Sequence, residues 1–366
     1  MTHLKLLFVS TSVGPLGSGV GGGVELTLLN MATVLAKRGH QITVAAPQGS
    51  VLESIRVIEI AGNCQIMAQS QTRETPILMP PNSVLGNLWD YARTVQTEYD
   101  LIVNFAYDWL PFYLTPFFSC PVIHWVSMGS LSTAIDRILK QLIEQYPNRL
   151  GFYTHTQAQT FGFTENYANL GIGVDLSKYN FCLKPDAPIG WLGRIAPEKA
   201  LEDAVQAADK TGIPLKIMGK MQSGTYWQKI QQTYPHAPIE YLGFLSTDQL
   251  QYHLRQCRAL LMTPRWVEAF GIVAIEALAC GVPVIAYRRG GPAEIIRDGE
   301  TGYLVEPDSV EGLIEAMQKL DKIDRLCCRQ QAEREYSLEV WGDRIEAWLW
   351  NIDAPLTESE GFLDSP

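Results

Sequence analysis

Two carboxylates, two cations and a glycine give this 366-residue sequence its densest chemical signal. In Arg265-Trp266-Val267-Glu268-Ala269-Phe270-Gly271-Ile272-Val273-Ala274-Ile275-Glu276, two glutamates bracket seven residues. Gly271 stands where a helix would start, with an apolar run behind it. The spacing puts Glu268 in a loop and Glu276 inside the helix, and it aims the backbone N–H groups of 269–272 at an anion, with the helix dipole behind them. Upstream, Gly193-Arg194-Ile195-Ala196-Pro197-Glu198-Lys199 sets two cations just past an apolar run read as a strand, a place for a diphosphate. Each feature alone has a plainer meaning, because cations five residues apart are ordinarily solvated and a helical Glu ordinarily faces water.

Gly17-x-Gly19-x-x-Gly22 matches the dinucleotide-binding string literally. Its companions are missing. Six residues including Pro15 separate it from the first strand, and the second strand ends in Ala45-Ala46-Pro47 rather than in an acid that would hold a ribose. The loop reads instead either as a surface turn or as a lead into a helix whose bare backbone at Gly22 and Gly23 approaches a sugar or phosphate.

The elements that position these residues repeat in two halves. A strand at 5–10, the glycine loop, a helix at 24–38 and a strand at 41–45 form a βαβ unit, with further strands at 100–105 and 121–126. The pattern restarts near 188, with strands at 189–193, 215–219, 258–263 and 282–286 and helices at 198–210 and 246–257. Short buried strands between helices imply an α/β fold of two doubly wound, Rossmann-like domains facing across a cleft, spanning 1–182 and 183–336. The segment 180–188 with its two prolines reads as linker, and 351–366 as a disordered tail.

Composition narrows the function classes. Net charge is −10. The first 182 residues carry 10 Lys+Arg and 12 Asp+Glu, the remaining 184 carry 19 and 27, and neither half holds the basic face that nucleic acid or an anionic membrane would select. The seven Cys show no metal-ligand spacing, no apolar run approaches the ~20 residues that cross a bilayer, and the N-terminus lacks a leader pattern, which together predict a reduced, cytoplasmic protein.

Taken in chain order, the motifs resemble family 4 glycosyltransferases with the GT-B fold, over nearly the whole sequence. They are Gly22-Gly23-Val24-Glu25, the Arg38-Gly39-His40 turn, Gly173-Val174-Asp175, the 193–199 string, the Glu268–Glu276 element, and the stretches 281–286, 290–296 and 299–305. The resemblance implies a retaining transfer of a sugar from a nucleotide diphosphate with no cofactor and no metal, and a last helix, about 337–350, that crosses back to the first domain. By position, Arg194 and Lys199 would bind the diphosphate and stabilise it as it leaves. Glu276 would take the ribose hydroxyls and Glu268 the donor sugar hydroxyls, with Glu268 as nucleophile or stabiliser left open. Backbone at Ala269, Phe270 and Gly271 would hold sugar or phosphate, with Gly22 and Gly23 on the donor side.

The first half departs from the family. Asn104-Phe105-Ala106-Tyr107-Asp108-Trp109 stands where many relatives carry a His-x-His-Asp string, and Ser127 or Met128 stands where a histidine is common. His124 lies earlier and reads equally as an ordinary buried strand residue. Eight aromatic residues fall within 105–125, mostly as core, yet with Asn104 and Asp108 alongside they suit a flat heterocycle. In this region, in the opening 8–28 and in 263–271, the chain resembles cyanobacterial glucosyltransferases that use UDP-glucose and tetrahydrobiopterin. That implies a reduced pterin as acceptor and an α-glucoside as product. Asn104, Tyr107, Asp108, Ser127 and Met128 are then the acceptor candidates, with Asp108 binding the pterin amino group, receiving the acceptor proton or orienting a loop. The alternatives are a polysaccharide or glycolipid transferase and a non-catalytic sugar-nucleotide binder.

Overall fold

The computed structural model describes residues 3–18 and 21–352. Gly19 of the glycine string and the tail from 353 lie outside the described residues. The chain divides into two compact units: residues up to Leu170 together with those from Gly342 onward, and Gly171–Trp341.

The first unit is built on a parallel sheet of β1 (Lys5–Val9), β2 (Gln41–Pro47), β3 (Arg56–Ile60), β4 (Leu101–Asn104), β5 (Val122–Trp125), β6 (Leu150–Phe152) and β7 (Ala168–Asn169), in the order β3-β2-β1-β4-β5-β6-β7. Strands β4 and β5 are buried at every position, and so is β1 after Lys5, because helices cover both faces of the sheet. The helix Val84–Val95 sets Leu85, Leu88, Trp89 and Ala92 against Leu7, Val9 and Ile102.

The second unit repeats the plan with β8 (Ile189–Leu192), β9 (Leu215–Met218), β10 (Ile239–Gly243), β11 (Leu260–Met262), β12 (Val284–Tyr287) and β13 (Gly302–Val305), all parallel, in the order β10-β9-β8-β11-β12-β13. Trp191, Ile217, Leu261 and Ile285 meet Leu201, Ala204, Val205 and Ala208 of the helix Leu201–Thr211 in its core. In each sheet the strand order reverses once, beside β1 and β4 and beside β8 and β11, and loops leaving the carboxyl ends there open the crevice where doubly wound sheets hold ligands.

Two expectations are corrected. The helix read from 198 begins at Leu201, because Pro197–Lys199 forms a single 3-10 turn and Ala200 takes a left-handed φ of 45°. The 180–188 segment is no linker but a bonded part of the second unit. The Cys182 N–H donates to the Cys280 carbonyl (3.2 Å), the Asp186 N–H to Gln256 (2.7 Å), and the Arg325 guanidinium to the Cys182 carbonyl (2.6 Å). The helix Leu338–Trp350 belongs to the first unit from Gly342 on, where Trp348 donates its indole N–H to the Asn148 carbonyl (2.6 Å).

Candidate functional site

At the reversal of the second sheet, the loop after β8 carries Arg194 and Lys199, and the loop after β11 carries Trp266 and Glu268. Main-chain and ionic ties fix both loops. The Arg265 N–H donates to the Glu198 carbonyl (2.9 Å), and the Arg265 guanidinium grips Glu202 (2.6 Å) and Asp203 (2.9 Å). Arg289 donates to the Pro264 carbonyl (3.0 Å). Thr263 hydroxyl reaches back to the carbonyls of Lys199 (3.0 Å) and Ala200 (2.9 Å).

Lys199 forms an ion pair with Glu268, and the Trp266 indole N–H donates to the same carboxylate oxygen at 3.0 Å. Arg194 pairs with Glu198 (3.0 Å) and donates to Gln222. Burial would raise the Glu268 carboxyl, but Lys199, the Trp266 N–H and Arg194 overcome it and hold it below the ordinary glutamate range. Glu268 is a carboxylate among cations.

Gly271, at a left-handed φ of 99°, turns the chain into the helix Ile272–Ala279. The Gly290–Gly291 pair backs the Glu268 loop. A Cβ on Gly290 would lie 2.5 Å from the Glu268 carbonyl oxygen and one on Gly291 would lie 2.1 Å from that of Phe270, while the Gly291 N–H donates to the Glu268 carbonyl (2.7 Å). Ala269 is half-buried, and Phe270 is buried with its ring edge toward Tyr336. Glu276 sits buried inside the helix, as the spacing placed it, and accepts from the Tyr179 hydroxyl at 2.8 Å. Burial pushes its carboxyl up to about 7 against that single hydrogen bond. Arg329 donates to the carbonyls of Tyr179 (2.8 Å) and Ala279 (2.6 Å), tying the 176–179 turn to the same helix.

In the first unit, Gly22 caps the helix Gly23–Lys37 at a left-handed φ of 61°, and both glycines are exposed. The N–H groups of Gly17 (3.0 Å) and Gly21 (2.5 Å) donate to the Glu25 carboxylate. After β4 the chain yields a framework as well as candidates. Asn104 is fully buried and exchanges hydrogen bonds with the Ala106 backbone (2.9 and 3.1 Å) while its amide meets His124 Nδ1 (3.2 Å). It braces the turn after β4 from a fully buried position. His124 also meets the Thr115 hydroxyl (2.8 Å), and burial pushes its imidazole down to about 3, so it is a neutral strand residue.

Tyr107 and Asp108 stay half-buried. The Tyr107 hydroxyl donates to the Gly129 carbonyl (3.1 Å) and accepts from the Leu131 N–H (3.2 Å). The Asp108 carboxylate accepts from Gln65 (3.0 Å), and burial raises it. Ser127 and Met128 are half-buried, on a segment that Gln157 holds through the carbonyls of Val126 (2.7 Å) and Met128 (2.8 Å). A long irregular segment, 61–83, docks on this face: Gln69 reaches the Met128 sulfur (3.3 Å), and Arg73 binds Ser130 (2.7 Å) and Asp136. Sequence reasoning gave no role to this segment, to Gln222 or to Tyr179, because none carries a spacing signal. Trp266 lay inside the quoted motif without a role. Among the described residues, no group of three or more His, Cys, Asp or Glu side chains is placed to hold a metal ion, and no helix is long and apolar enough to cross a membrane.

Residues 184–334, the stretch that contains Arg194, Lys199, Trp266, Glu268 and Glu276, match the family model "Glycosyl transferases group 1". An uncharacterised glycosyltransferase of Methanocaldococcus jannaschii is 32% identical over 158 residues, 42% of each chain, so the matched part spans less than half of that relative. The glycogen synthase of Mycobacterium tuberculosis is 24% identical over 87% of this chain and 86% of its own. Among solved structures, the Anabaena protein HepE in complex with UDP and glucose superposes with a TM-score of 0.74 at 18% identity, over 95% of this chain and all of the other. That likeness is one of fold, and the fold is GT-B: two Rossmann-like parallel-sheet domains.

Proposed function

We propose that this chain, built around a glycosyltransferase group 1 domain, transfers glucose from UDP-glucose to a small acceptor with retention at the anomeric carbon. The observation that carries the reading is the set Arg194, Lys199 and Glu268 beside the Gly271 helix start, inside the segment that matches the family. The donor class is supported by HepE, whose crystal structure holds UDP and glucose on the same fold. In the reaction, the bond from the anomeric carbon to the diphosphate oxygen breaks and its electron pair leaves on UDP. The acceptor oxygen forms the new bond from the same face and gives its proton to the departing diphosphate or to Asp108. Arg194, Lys199 and the helix N-terminus meet the charge that develops on the leaving group. Glu268 takes the sugar hydroxyls and Glu276 the ribose, with no divalent metal or other cofactor taking part.

The acceptor is a reduced pterin, tetrahydrobiopterin in particular. The charge-poor first unit supports this with Tyr107, Asp108, Ser127 and Met128, since a flat neutral ring gains from aromatic contact and a few hydrogen bonds. The test is turnover of radiolabelled UDP-glucose with and without tetrahydrobiopterin, in EDTA, followed by mass analysis of the product. A pterin glucoside is expected, and Arg194→Ala should lower kcat by roughly 10²–10³, the scale for one oxyanion-type donor. Hydrolysis without transfer would remove the pterin. Absence of UDP binding, or full activity in Arg194→Ala, would remove the donor site.

A further inference from the structure

Trp266 stands beside Lys199, Arg194 and Glu268 of the donor-side cluster. Its ring centroid lies 5.0 Å from the Lys199 ammonium and 5.8 Å from the Arg194 guanidinium carbon, within reach of cation–π attraction. Its indole N–H meets Glu268 Oε2 at 3.0 Å, the same oxygen that Lys199 pairs with. The side chain sits two residues ahead of Glu268 on a loop that Arg265, Arg289 and the Gly290–Gly291 backbone immobilise.

Two donors on one carboxylate oxygen are not equivalent. Lys199 is a flexible cation that an incoming diphosphate competes for, whereas the indole is rigid and carries no charge to draw it away from Glu268. If Lys199 turned to an anion with no second donor present, Glu268 would be left as a covered carboxylate without a partner, and such a group takes up a proton. We infer that Trp266 is a positioning residue that keeps Glu268 ionised and aimed while Lys199 and Arg194 are given over to the diphosphate. Its ring also attracts both cations, Lys199 at 5.0 Å and Arg194 at 5.8 Å from the centroid. This deepens the proposed function and rests on its donor-site reading.

The two parts of the side chain separate by substitution. Trp266→Phe keeps a ring face and loses the N–H; Trp266→Leu loses both. In Trp266→Phe, kcat should fall about tenfold, the scale for a hydrogen bond to a charged group, with KM for UDP-glucose within about twofold. The acidic limb of the kcat–pH profile should move up by about one unit, because Glu268 protonates more readily. Trp266→Leu should add a weakening of UDP binding by roughly fivefold in calorimetry, as both cations lose the aromatic ring beside them. A purely structural role would lower both variants' melting temperatures and leave the pH limb in place.

A ligand-free measurement keeps the inference separable from the donor site. In protein labelled with 5-fluorotryptophan, the Trp266 resonance is the one absent from Trp266→Phe, and Glu268→Gln should shift it. Wild-type pH limb and kcat in Trp266→Phe would overturn the inference, and so would a Trp266 resonance that ignores Glu268→Gln. If the unmodified protein neither binds UDP nor turns UDP-glucose over, the donor-site reading falls, and the fluorine comparison decides the Trp266–Glu268 bond by itself.

Discussion

Glu268 and Glu276 are both covered by protein, yet their surroundings drive them apart. Glu268 has a cation and an indole N–H and stays ionised, while Glu276 has one phenol and is pushed up to about 7. The second shift makes a prediction about stability. Because the folded protein binds a proton at Glu276 over a range where the unfolded chain has already lost it, this group disfavours folding as pH rises from the ordinary glutamate value of 4.5 to about 7. Glu276→Gln keeps an acceptor for the Tyr179 hydroxyl and removes the charge. The variant should lose less stability than the parent between pH 5 and 7.5, with a difference of roughly 1–3 kcal/mol at the upper end. Urea unfolding at several pH values measures it, and parallel curves for the two proteins would show that the carboxyl titrates normally. The place of each glutamate, one in a loop and one inside a helix, was legible from the spacing. Their opposite ionisation was not, since Tyr179 comes from a turn 97 residues away in the chain.

At the scale of elements, glycines show how tightly the loops of the second unit are cast. Gly290 is at φ 68° with its Cβ position against the Glu268 main chain, and Gly291 has no room beside the Phe270 carbonyl. Gly22 is different: its φ of 61° asks for glycine, but nothing lies within 4 Å of a Cβ there. With ψ at −132° the residue also lies outside the left-handed helical basin, so Gly22→Ala should cost only backbone strain, about 1–3 kcal/mol. Gly290→Ala should add a steric clash to its strain and displace Glu268, lowering kcat roughly tenfold or more. Thermal melts and steady-state rates on both variants check this, and equal costs would contradict the close packing of the two loops. The same scale shows what the sequence hid. Continuous apolar runs revealed β1, β4, β5, β8 and β11 because both of their faces are buried. The edge strands Arg56–Ile60 and Ile239–Gly243 gave no such signal because they alternate with charged or exposed residues, and β6 and β7 are too short for one at three and two residues. The helix start at Leu201 was misread because Ala200 adopts a left-handed conformation that its residue type does not advertise.

At the scale of the molecule, the Arg38-Gly39-His40 turn has a use that its motif did not disclose. It ends the first helix, and its two basic side chains receive the last one. Arg38 pairs with Asp343 (2.7 Å) and Glu346 (2.5 Å), and His40 Nε2 meets Glu346 at 2.9 Å. The Leu4 N–H donates to His40 Nδ1 (3.1 Å), so the ring must carry its proton on Nε2, where it donates to Glu346. Thus one carboxylate joins β1, the first helix and the last within the first unit. Burial works against the Glu346 charge, but His40 and Arg38 outweigh it and hold the carboxyl below the ordinary glutamate range. A depressed folded value means that the contribution is fully present above the unfolded value and is lost as pH falls through the folded one. Glu346→Gln should accordingly lower the melting temperature by a few degrees at pH 7–8, and the gap should close as the pH is taken below about 4. Donor-dependent turnover per folded molecule should be unchanged, because the substitution lies in the first unit and touches none of Arg194, Lys199, Trp266 or Glu268. A gap that persists at low pH would mean that Glu346 acts by packing and not by charge. A loss of turnover at full folding would mean that the last helix does more than hold the first unit together.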